Sequence, residues 1–93
     1  MKCYIIMYDL RKVRNYQALW DAIKAYGTWG RITESTWAIV TNQTASQVRD
    51  YLLQFMDGDD RLMVIKSSGE AAWRNALAND QWLEQQLPKT GWQ

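Results

Sequence analysis

The most chemically pointed combination in this chain is a carboxylate set just ahead of a run of cations: Asp9, then Arg11, Lys12 and Arg14. A carboxylate in such a place has two uses. It can be a ligand to a divalent cation, and so a catalytic group, or it can accept hydrogen bonds from loop N–H groups and pair with a neighbouring guanidinium. One carboxylate alone does not satisfy Mg²⁺, which takes about six oxygens and accepts several of them from water or phosphate. With no histidine in the chain, imidazole general bases, Ser-His and Cys-His nucleophiles and His-ligated zinc are all excluded. Asp57, Asp59 and Asp60 resemble a calcium loop only at a glance. They lack the spacing and the closing glutamate of an EF-hand, so they read as a turn.

The elements that must position Asp9 begin with the strand it ends. Cys3 to Tyr8 is an unbroken apolar and aromatic run, which leaves no polar face and predicts a central strand over residues 2–9, covered on both sides. Asn15 is a candidate N-cap, and Tyr16, Leu19, Trp20 and Ile23 fall on one helical face that Gly27 closes. Residues 28–32 and 35–40 read as two paired strands, Thr36 to Val40 being the stronger. Thr44 or Ser46 caps a second helix with Val48, Tyr51, Leu52 and Phe55 on its apolar face. Trp20, Trp37, Tyr51 and Phe55 are expected in the core, with Trp29 in an edge region. After the Asp57–Asp60 turn, Leu62 to Ile65 forms the fourth strand.

The order β-α-β-β-α-β predicts an α+β, ferredoxin-like domain over residues 1–68, with both helices on one face of the sheet. The opposite face then needs a cover, either a partner subunit or the tail, residues 69–93. Glu70 to Leu77 has helix-forming composition, with Glu70 in the first turn, and Asn79-Asp80 can cap a further turn or two up to Leu87. Trp73, Leu77, Trp82 and Leu83 are too apolar to be left in solvent. They are expected to dock on the sheet, on a protein partner or across a dimer seam.

Ninety-three residues with eleven Lys and Arg against ten Asp and Glu leave a net charge of +1. That gives no global field for nucleic acid or membrane, so any basic patch must be local. Cys3 has no cysteine to pair with, which fits a packing role and a reducing cytoplasm. The opening MKCYIIMYDL is too short and too soon charged for a signal peptide or a membrane span.

With these elements placed, the chain resembles the CRISPR-associated Cas-two family and the related VapD endoribonuclease toxins. The residues that carry the likeness are Tyr8-Asp9, Tyr26-Gly27, Ser35-Thr36-Trp37 and Asp60 to Ile65. The resemblance covers roughly the first two-thirds of the chain. It implies a ferredoxin-like homodimer associated with RNA or DNA. Asp9 and its symmetry mate would share one Mg²⁺ or Mn²⁺, which would polarise a phosphodiester and activate water. On that reading Arg11, Lys12, Arg14 and Arg31 contact phosphate, and Tyr16 stacks on an unpaired base. The Trp-rich tail departs from the family pattern, and the family's fifth strand has room only near residues 66–68.

Three functions therefore compete. One is a metal-dependent nuclease or endoribonuclease using Asp9. Another is a module that binds nucleic acid or nucleotide and cuts nothing. The third is a protein-interaction scaffold, of a defence or toxin–antitoxin system, engaging its partner through the sheet face and tail.

Overall fold

A computed structural model describes residues 1–12 and 15–89. Four strands and three helices follow one another as β1 (Lys2–Asp9), α1 (Gln17–Lys24), β2 (Trp29–Thr33), β3 (Thr36–Thr41), α2 (Ala45–Leu53), β4 (Arg61–Lys66) and α3 (Asp80–Gln86). The strands form one α+β sheet of order β2-β3-β1-β4, antiparallel throughout. β1 is central, as its unbroken apolar run requires.

The period-2 alternation of β1 divides the core in two. Tyr4, Ile6 and Tyr8 join Trp37 and Ile39 on the face covered by α1 and α2, which add Leu19, Ala22, Ile23, Val48 and Leu52. Cys3 faces the other way with Ala38 and Val40, and there the tail supplies Leu83 and Leu87. The two-sided hydrophobicity of β1 is thus met, at its first residues, by the same chain.

Local chemistry sets the helix ends. The N-cap position of α1 falls on Tyr16, one residue after the expected Asn15, whose carboxamide oxygen accepts the Gln17 N–H at 2.9 Å, and Gly27, at φ 88°, closes the turn after α1. Thr44 caps α2 reciprocally with Gln47, each side chain taking the other's backbone N–H. Trp37 is fully buried, Trp20 and Phe55 are half-buried, and Tyr51, expected in the core, is exposed at the edge of a Tyr26–Tyr51–Phe55 ring cluster.

The tail differs from expectation in its first half. Residues 70–77 are not helical, and Glu70 is not a first-turn residue. Gly69 at φ 97° and Asn75 at φ 55° turn the chain, and the Leu77 N–H goes to the Ile32 carbonyl of β2 at 3.0 Å. Helix propensity loses here to a tertiary hydrogen bond and to apolar docking. The second half behaves as its residues suggest: the Asn79 side chain accepts from the N–H groups of Gln81 and Trp82, starting α3.

The tail is also stitched to the sheet. The Cys3 N–H donates to the Lys89 carbonyl and the Ser67 N–H to the Cys3 carbonyl, both at 2.8 Å. The Ser67 hydroxyl donates to the Leu87 carbonyl at 2.5 Å. Trp82 lies so close over β2 that a Cβ on Gly30 would fall 2.7 Å from its ring. Glycine is required there by the approach of an indole.

Candidate functional site

Asp9 ends β1 directly opposite Arg61, the first residue of β4. Their side chains meet at 2.7 Å, and Arg11 reaches the same Asp9 oxygen at 3.4 Å. The strand register builds this pair: antiparallel partners on the same face of the sheet bring a terminal carboxylate against a guanidinium. Asp9 remains about half exposed, with 53% of its side chain accessible. The site is a solvated ion-pair cluster at the sheet's end.

The cations after Asp9 are met by the acidic turn before β4. Lys12 pairs with Asp59 at 3.2 Å, and the Arg11 backbone N–H donates to the Asp60 carboxylate at 2.6 Å. Tyr16 sits at the centre of this junction, only 3% exposed, its hydroxyl donating to the carboxylates of Asp60 and Asp57. Burial, together with the hydrogen bonds to Asp60 and Asp57, pushes the Tyr16 hydroxyl up to about 12. The expected stacking role of Tyr16 is corrected by this placement, since its ring belongs to the core and shows no free face to a base. The Asp57–Asp60 segment is the turn expected, and it clamps the loop after β1. Arg14 lies outside the described residues.

Among the described residues of this junction, three cations (Arg11, Lys12 and Arg61) stand with four carboxylates (Asp9, Asp57, Asp59 and Asp60). Those described residues offer no basic excess to attract a phosphate backbone. The fit to Mg²⁺ or Mn²⁺ is equally poor within one chain. Two guanidiniums already converge on the Asp9 carboxylate, and no group of three or more His, Cys, Asp or Glu side chains is placed to hold a metal among the described residues.

Arg31 lies elsewhere, on the edge strand β2. Its guanidinium is 4.8 Å from the Trp37 ring centroid and 5.3 Å from that of Trp20, and its Nε and Nη2 both donate to the Glu34 carbonyl. Beneath it, the Tyr8 hydroxyl accepts the indole N–H groups of Trp37 at 2.9 Å and Trp20 at 3.0 Å while donating to the Glu34 carbonyl. Arg31 is therefore grouped with Tyr8, Trp20 and Trp37, and the junction with Asp9, Arg11 and Lys12. An open cleft of about 670 Å³ runs between the two, lined by Tyr8, Asp9, Leu10, Trp20, Arg31 and Leu77 among others.

Arg61 is the participant that sequence reasoning missed. The signal available was an arginine opening a strand just after an acidic turn, but its partner is 52 residues away and becomes visible only once the register is known.

The second sheet face is only half covered. Ile5 faces Ile65 and Met7 faces Met63 across β1 and β4, and the β4 members are 45% and 54% exposed. The Asp9–Arg61 pair bounds this apolar strip at one end, and the tail packed on Cys3 and Ser67 at the other. No helix among the described residues is long and apolar enough to cross a membrane. No family model matches the chain.

Proposed function

We propose that this protein is a ferredoxin-like, Cas-two-like homodimer, and that it acts as a non-catalytic assembly module rather than as a nuclease. The β-α-β-β-α-β order and the β2-β3-β1-β4 sheet support the fold assignment. The observation that carries the functional reading is the half-covered strip in which Met63 and Ile65 stand exposed beside the partly buried Ile5 and Met7. Apolar side chains gathered on one sheet face with a polar rim mark an interaction surface. The rim bears both signs of charge in the Asp9–Arg61 pair, which suits a two-fold contact between identical patches better than a partner of one sign.

Nucleic acid is the further partner that the resemblance implies. Asp9, held by Arg61 and Arg11, then serves to shape the sheet's end instead of binding a metal. A buried, unpaired Cys3 suits work in a reducing cytoplasm. The test is an assay of labelled single- and double-stranded RNA and DNA with Mg²⁺ or Mn²⁺, using wild type and Asp9→Asn. No metal-dependent cutting by either protein is expected. Cutting that vanishes in Asp9→Asn would establish the nuclease instead.

A further inference from the structure

Arg31 differs from the other arginines whose ion pairs are described. Arg11, Arg49 and Arg61 each pair with a carboxylate, whereas Arg31 has none within ion-pairing distance among the described residues. It is nevertheless held firmly: two indoles lie against the guanidinium, and Nε and Nη2 are directed to the Glu34 carbonyl. A guanidinium oriented in this way keeps N–H groups for a planar oxyanion at little further ordering cost.

The same arginine lines the cleft of about 670 Å³, with Trp20, Leu10 and Leu77 as apolar walls. That volume is typical of small-molecule sites, which combine apolar walls with few convergent polar groups. Leu77 is 65% exposed although its own backbone N–H is anchored to Ile32. Its side chain thus lines the cleft while staying largely exposed. The neighbouring polar groups are already engaged: the Tyr8 hydroxyl accepts two indoles and donates once, and the Asp9 carboxylate has two guanidiniums.

We infer that this cleft binds a small monocarboxylate with an apolar or aromatic body, its carboxylate on Arg31 and its body against Trp20 and Leu77. Glu34 also lines the cleft, and a further negative charge there favours a singly charged ligand over a dianion such as a phosphate monoester. The site uses one chain only, so it stands apart from the assembly reading, and failure of either leaves the other intact.

The experiment is a titration of the full-length protein, followed by amide chemical shifts, with phenylacetate, its neutral analogue phenylacetamide and the dianion phenyl phosphate. N-acetylphenylalanine is a fourth probe, standing for a peptide C-terminus with the same chemistry. Phenylacetate is expected to shift residues around Arg31 and Leu77 and to bind about tenfold or more tightly than the amide, a charge-assisted pair being lost in the latter. Phenyl phosphate is expected to bind more weakly than phenylacetate. Stronger binding of N-acetylphenylalanine would assign the site to a peptide end, weaker binding to a free acid. Leu77→Ala, at an exposed position that leaves the fold intact, is expected to weaken phenylacetate several-fold, and Arg31→Gln to abolish the preference for acid over amide. Equal binding of acid and amide, shifts located elsewhere, or no binding at millimolar phenylacetate would overturn the proposal.

Discussion

The Asp9 carboxylate meets the Arg61 guanidinium at 2.7 Å across paired ends of β1 and β4. The geometry gives the best-placed carboxylate of the chain a structural partner, and Arg11 adds a second. An exposed pair of this kind contributes little stability, because water screens it and ordering two long side chains costs entropy.

Asp9→Asn is therefore expected to change unfolding free energy by less than about 1 kcal/mol. Millimolar Mg²⁺ should leave the melting temperature of wild type and variant unmoved. Calorimetry with and without the ion checks both statements, and a rise in wild type alone would reveal a metal site at Asp9.

Tyr8→Phe should be costlier although it removes a single oxygen. The Trp37 indole N–H, fully buried, would lose its acceptor. A buried donor left unpaired costs about 1–3 kcal/mol, readable as a lower urea midpoint at unchanged slope. A variant as stable as wild type would mean that the Tyr8–Trp37 bond is not made in solution.

The tail should behave as part of the domain. Gly30→Ala forces Trp82 off β2, and overpacking of this kind costs about 1–3 kcal/mol. In a Trp82→Ala background the same change should cost almost nothing, since the clashing ring is gone. Additive losses would show that the two residues do not touch.

Stability at alkaline pH should fall in two overlapping steps. Burial raises the Cys3 thiol from 9.0 to about 11, and burial with hydrogen bonding raises Tyr16 from 10.0 to about 12. Both groups hold their proton more tightly when folded, so their contribution is complete below the unfolded values and disappears as pH rises through the folded ones. Tyr16→Phe should flatten the stability profile between pH 10 and 12, and Cys3→Ala that between 9 and 11. Profiles parallel to wild type would contradict the assignment.

Much of this architecture was legible in local pattern. The unbroken run in β1 announced a central strand needing two covers, and Thr44, Asn79 and Gly27 announced helix ends. What stayed hidden depended on register or on distant chain. Arg61 meets Asp9 only through strand pairing, and residues 70–77 surrender helix propensity to docking against β2. Tyr16 shows the same limit: its type suits base stacking, but its helical face carries it into the core, where two acidic residues from another loop hold its hydroxyl. Chemistry-bearing residue types identify candidates; their partners decide what they do.

The assembly reading is tested most directly by sedimentation equilibrium of wild type and Met63→Asp over a wide concentration range. Met63 is exposed in the single chain, so aspartate there leaves the fold intact while placing a charge in the apolar strip. We expect wild type to sediment as a dimer and Met63→Asp as a folded monomer. A wild type that remains monomeric at the highest concentration, or a Met63→Asp dimer of unchanged affinity, would contradict the account.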